Sequence, residues 1–149
     1  MSIKSQLHSL CVKTLDQKIN ALQEEIKVMQ NDAQEETKSS AGDKYETGRA
    51  MMHLEMEKLS SQLNEFLNAR LILSQIDPAK NYPIIQLGSV ILTSGQNYFI
   101  SISAGAVEVD QKQFYCISPA SPIGALLVGK KKGEQFTFRN QQINILEIF

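Results

Sequence analysis

The sequence predicts an α+β protein. An N-terminal antiparallel helical hairpin is expected over 1–77, followed over 78–149 by a small, mainly antiparallel β domain with one short helix. Three observations predict it. Two segments of the first half carry apolar residues at alternating spacings of four and three. A turn signal separates them. After Asp77-Pro78 the composition shifts to Ile, Val, Phe, Tyr and Thr with short polar breaks.

The first seam is Leu15, Ile19, Leu22, Ile26 and Met29. The second is Met52, Met56, Leu59, Leu63 and Phe66, continuing less cleanly through Arg70 and Leu73. This is the a/d heptad pattern, with one apolar stripe on each helix and Glu, Lys, Gln and Asn elsewhere. Between the seams, Ser39-Ser40-Ala41-Gly42 is the strongest turn signal of the first half. A self-associating coiled coil would use the same stripes. Two helices of similar length around a short turn favour an intramolecular hairpin instead. From Leu10 to Lys38 the first arm would run roughly 40 Å at about 1.5 Å per residue, more than a small core needs. Asp77-Pro78 is expected to end the second helix, because the residue before proline is pushed out of the α region.

In the second half, strands are expected near Ser89–Thr93, Tyr98–Ser103, Gln113–Ile117, Gln135–Phe138 and Ile143–Ile148. Ser94-Gly95 and Lys132-Gly133 mark turns. The stretch 121–129 reads as a short helix. Ser121 is its N-cap, Pro122 its first residue and Gly129 its stop.

Composition excludes several function classes. The net charge of −1 combines −3 over 1–78 (9 Lys/Arg, 12 Asp/Glu) with +2 over 79–149 (6 and 4). Neither half is basic enough to hold duplex nucleic acid by phosphate neutralisation alone. No stretch approaches the roughly 20 apolar residues of a membrane span. The opening residues lack the apolar core of a secretory signal, so a cytoplasmic location is expected. There Cys11 and Cys116 should remain free thiols, and neither lies in a cluster with metal-ligand spacing. His8 and His53 are isolated on helical segments and read as surface or seam residues. Lys130, Lys131 and Lys132 read as a solvated turn. Residues 124–131 match most of a phosphate-loop pattern but end in Lys rather than Ser or Thr, and their interior is apolar. No Ser/His/Asp or Cys/His arrangement for nucleophilic catalysis is visible.

Asp43 and Glu46, near the hairpin tip, support two readings. Asp43-x-x-Glu46 fits a capping box at the start of the second helix. The same spacing places two carboxylates on one helix face, where they could contribute to holding a hard cation such as Mg²⁺. Two ligands are too few for an ion that takes six oxygens, so a partner would have to supply the rest. Asp32, Glu35 and Glu36 add negative charge, and Lys44 and Arg49 partly offset it.

Gly42-Asp43-Lys44-Tyr45-Glu46 resembles the G-D-x-x-E stretch at the coiled-coil tip of the Gre transcript cleavage factors of bacterial RNA polymerase. The segment from Ile117 through Ser121-Pro122-Ile123 to Gly129-Lys130 is similar to that family's I-S-x-x-S-P-I-x-x-A-L-x-G-K, with a one-residue shift around Ala125. Leu87-Gly88-Ser89-Val90 and the 143–148 segment are similar to the stretches that open and close the family's C-terminal domain. The resemblance implies an FKBP-like fold for that domain, docked on RNA polymerase with Ser121 and Pro122 near the contact. It implies that the coiled coil enters the secondary channel. There Asp43 and Glu46 would help hold the second Mg²⁺ and a water, and backtracked RNA would be hydrolysed near its 3′ end. The polymerase would be the enzyme and this chain an accessory factor. Lys44 and Tyr45 stand where the family usually has a small or apolar pair, and Thr47-Gly48-Arg49-Ala50 follow where it usually has Asn and then an aromatic. A non-cleaving channel regulator and a structural coiled-coil adaptor remain as alternatives. A monomer is expected, with a dimer through the seam as the other possibility.

Overall fold

The computed structural model describes residues 1–37 and 42–149, and of residues 36, 37 and 42–46 the backbone alone. Three helices and six strands are described: α1 (Ile3–Thr37), α2 (Gly42–Ser74), β1 (Val90–Thr93), β2 (Asn97–Ile100), β3 (Gly105–Val109), β4 (Lys112–Ile117), α3 (Pro122–Leu127), β5 (Gln135–Phe138) and β6 (Gln141–Ile148). The turn expected at Ser39-Ser40-Ala41 lies outside the described residues. The chain divides into two compact units. One is Thr14–Arg70. The other combines Met1–Lys13 with Leu71–Phe149, so both helix roots belong with the sheet.

Within Thr14–Arg70 the two helices run antiparallel. Asp16 of α1 pairs with Arg70 of α2 at 2.9 Å, and the Lys18 ammonium lies 6.0 Å from the Phe66 ring. Leu15, Ile19, Leu22 and Leu59 are buried, while Ile26, Met29, Met52, Met56, Leu63 and Phe66 are half-buried. Every named seam position in this unit is therefore at least partly covered. The stripe continues toward the N-terminus through Leu7 and Cys11, both buried. Ser2 starts α1, its Oγ accepting from the Ser5 N–H at 3.1 Å. The second helix ends at Ser74, three residues before Asp77-Pro78. Gln75 and Ile76 donate to Ile72 and Leu73 in i→i−3 bonds that tighten the last turn and close the helix ahead of the proline.

The six strands form one sheet in the order β3-β4-β2-β1-β6-β5. Four pairings are antiparallel; β2 and β4 are parallel, with β3 between them in sequence and at the sheet edge in space. Both faces are covered. Ile91, Tyr98, Ile100, Ile143 and Ile145 share a cluster with Ile123 and Leu127 of α3. Alternation sends Val90, Phe99, Phe114 and Cys116 to the other face, where Cys116 meets Cys11 of α1. Among the described residues no helix is long and apolar enough to cross a membrane.

β3 was absent from the sequence-based expectation. Its burial runs exposed, exposed, half-buried, exposed, buried, so only Val107 and Val109 mark a covered face in Gly105-Ala-Val-Glu-Val109. Its turn to β4 is Asp110-Gln111, both at positive φ (52° and 65°), without the glycine that usually flags a two-residue hairpin. Arg139-Asn140 (52° and 64°) makes the same kind of turn between β5 and β6, which therefore begins at Gln141 rather than Ile143. β2 is shorter than expected, ending at Ile100.

Candidate functional site

Two places carry the residues singled out by sequence. The first is the start of α2. Its backbone begins at Gly42, so Asp43 and Glu46 stand three residues apart in the opening turns of a 33-residue helix. The helix N-terminus carries partial positive charge, which favours carboxylates in its first turn under either the capping or the cation-holding reading. The side chains of Asp43 and Glu46 lie outside the described residues. Among the described residues no three His, Cys, Asp or Glu side chains gather as they would around a metal.

The second place is the loop leading into α3, and here the local chemistry is fully drawn. Ser121 is the N-cap, with φ −64° and ψ 158°. Its Oγ donates to the Ser118 carbonyl at 2.7 Å and accepts from the Gly124 N–H at 3.1 Å. Its backbone N–H also reaches Ser118 O, at 3.2 Å, and its carbonyl accepts from Ala125 at 2.8 Å. Pro122 follows at the first helical position, where its missing N–H costs nothing. Ile123, Gly124 and Leu127 face inward, and Pro122, Leu126 and Val128 are exposed. Gly129 ends the element with φ +89°, as its sequence position predicts.

Gly124 is held in place by crowding. A Cβ there would lie 2.1 Å from Ser118 O, 2.8 Å from Ser121 Oγ and 3.1 Å from Pro119 O. The segment is thus a rigid loop whose polar groups are mostly satisfied internally, presenting Pro122, Leu126 and Val128 outward. Beyond it, Gly129 N–H donates to Ile85 O and Ile85 N–H to Lys130 O, both at 2.9 Å. These bonds occupy the backbone that a phosphate loop would leave free. Of the basic run, Lys132 pairs with Glu147 at 2.8 Å, with both side chains largely exposed. His8 uses its Nε2 against the Leu73 carbonyl at 2.7 Å, tying the two helix roots, and His53 is exposed.

Two features were not legible beforehand. Lys4 is only 3 % exposed. Its ammonium donates to the Lys80 carbonyl at 2.6 Å and lies 4.9 Å from the centre of the Tyr82 ring. Burial lowers its pKa to about 8, and the nearby Asp77 carboxylate opposes the shift. A lysine on an amphipathic helix ordinarily reads as solvent-facing, so only the docked chain at 77–82 shows otherwise. The second feature is the meeting of Cys11 and Cys116, whose sulfurs are 3.6 Å apart. No spacing rule links residues on a helix and a distant strand.

No protein-family model matches the chain, and no curated protein matches it.

Proposed function

We propose that this chain is a Gre-like elongation factor that binds RNA polymerase, places its helical hairpin in the secondary channel and stimulates cleavage of backtracked RNA. The observation that carries the proposal is the combination of two elements in one chain. A two-helix arm has an Asp-x-x-Glu pair in the first turns of α2, and a sheet domain presents a rigid Ser121-Pro122 loop in the sequence context that resembles the family. The arm supports it by length. From Thr14 to Thr37, α1 extends about 36 Å at about 1.5 Å per residue. In this proposal the sheet domain is FKBP-like and docks through Pro122 and its exposed neighbours. Asp43 and Glu46 add two carboxylate ligands to a Mg²⁺ whose remaining ligands belong to the polymerase. When bound, that ion would make a nucleophilic water available near neutral pH. The chain's own task is to bring the two carboxylates to it.

The test is a backtracked elongation complex of RNA polymerase from the same organism. Addition of the chain is expected to shorten the RNA from its 3′ end. Asp43→Asn and Glu46→Gln are expected to abolish shortening while leaving polymerase binding intact.

One observation favours a second outcome, channel occupancy without cleavage. Residues 14–70 hold 7 Lys/Arg against 11 Asp/Glu, so the arm offers RNA no excess of positive charge. Binding to polymerase without RNA shortening would select that function. Absence of binding would leave a coiled-coil adaptor.

A further inference from the structure

Cys11 and Cys116 are the only two cysteines of the chain. They are 105 positions apart in sequence, yet their sulfurs lie 3.6 Å from each other. Both are free thiols, each 2 % exposed. Cys11 belongs to the buried stripe of α1, and Cys116 to the face of β4 that also carries Phe114. Both lie in the same compact unit. A disulfide bond is about 2.05 Å long, so bonding requires the sulfurs to approach by about 1.5 Å. Rotations about the two Cα–Cβ bonds move sulfurs through distances of that order.

We propose that Cys11 and Cys116 are an oxidant-responsive dithiol pair that closes to a disulfide and ties the root of α1 to β4. A buried pair can also exist only as packing, since a thiol behaves as a small apolar side chain. What distinguishes this pair is that the two thiols contact each other directly. Hydrogen bonding with Cys116, in which either sulfur can donate, holds the Cys11 thiol below its ordinary pKa, against the effect of burial. The same bond and burial push Cys116 up. Cys11 is therefore the more readily ionised thiol of the two, and the 3.6 Å contact leaves Cys116 in position to resolve its oxidised form.

Hydrogen peroxide is the oxidant class that fits a closed site. The Cys11 thiolate attacks one peroxide oxygen. An S–O bond forms, the O–O bond breaks, and the departing hydroxide takes up a proton as water. Cys11 is then a sulfenic acid. The Cys116 sulfur attacks the Cys11 sulfur, the S–S bond forms and the S–O bond breaks. The leaving hydroxide takes the Cys116 proton as a second water. Two thiols and one peroxide give one disulfide and two waters. A dithiol reductant reverses the change by exchange.

The experiment treats the native full chain with hydrogen peroxide, then denatures it in N-ethylmaleimide and records intact mass and linked peptides. The expected result is joint loss of both alkylatable thiols, a mass lower by two hydrogens, one peptide joining Cys11 to Cys116, and recovery with dithiothreitol. The oxidised chain is expected to melt at a higher temperature than the reduced one. In Cys116→Ser, which keeps a small side chain at the site, Cys11 is expected to accumulate oxygen adducts because nothing resolves its sulfenic acid. Two alkylated thiols after peroxide treatment would overturn the proposal. So would oxygen adducts on the wild-type chain without a cross-link, links only between chains, or a link that lowers the melting temperature.

Discussion

Gly124→Ala sets two physical effects against each other, and the structure decides the sign. On helix propensity alone the substitution should stabilise, by roughly 1 kcal/mol in a helix interior. Sterics oppose it. The new Cβ would meet Ser118 O at 2.1 Å, and neither that backbone carbonyl nor Pro119 O at 3.1 Å can swing away as a side-chain end would. Relief requires moving the 118–121 loop or the start of α3 by about 1 Å, with an overpacking cost of about 1–3 kcal/mol. Ser118 O is also the acceptor for both Ser121 Oγ and Ser121 N–H. Displacing it weakens the cap, a further ~1 kcal/mol. The net expectation is destabilisation by about 2 kcal/mol. Urea unfolding followed by far-UV circular dichroism measures it as a lower midpoint with an unchanged slope. Ala125→Gly is the internal control. That residue is exposed on the same helix, and the change should cost roughly 1 kcal/mol through propensity. A midpoint for Gly124→Ala equal to or above wild type would refute the reasoning, because propensity would then outweigh contact with the Ser118 carbonyl.

Two further outcomes follow from local chemistry. Below about pH 8 Lys4 is charged in both folded and unfolded chains, and the folded chain bears the cost of burying it. Between about 8 and the ordinary 10.5 the folded chain has released the proton while the unfolded chain still holds it, so stability rises with pH, by up to about 3 kcal/mol. Lys4→Met should flatten that rise in unfolding midpoints taken at pH 7.5 and 10, and an equal rise in both proteins would contradict it. Gln111, at φ 65° in the β3–β4 turn, is a non-glycine residue in left-handed backbone. Gln111→Gly should raise stability by up to about 1 kcal/mol, the left-handed penalty less glycine's greater loss of freedom. A drop in melting temperature would show that the Gln111 side chain contributes more than its backbone costs.

What was legible in the sequence, and what was not, divides along the range of the forces involved. The heptad stripes were legible because one-sided burial on a helix imposes a period that survives in sequence, and Leu15, Ile19, Leu22 and Leu59 are buried accordingly. The short helix α3 was legible because Ser121, Pro122 and Gly129 each meet a backbone requirement within a few residues. The strands were legible as apolar runs, but their facing was not. Coverage of both faces makes Tyr98, Phe99 and Ile100 all buried, which erases the two-residue period. The edge strand β3 failed for the opposite reason, because only Val107 and Val109 are covered and two positions are too few to read as an alternation.

The candidate sites follow the same division. Asp43 and Glu46 are visible as residue types at helical spacing, but that spacing by itself fits a capping box before it fits two ligands of a cation, because the remaining ligands would have to come from another molecule. The cysteines show the converse. Cys11 lies four residues before Leu15, in step with the stripe, so its burial was within reach of the periodicity. Its partner was not, because Cys116 is brought to it by the order β3-β4-β2-β1-β6-β5 and by the parallel placement of β4 beside β2. That placement sets β4 one strand from the edge, with Cys116 pointing to the face that α1 covers. A one-residue slip in β4 would turn Cys116 to the opposite face and put Tyr115 against Cys11. The 3.6 Å sulfur contact therefore depends on the register of one strand, and disulfide yield under mild peroxide reports that register directly.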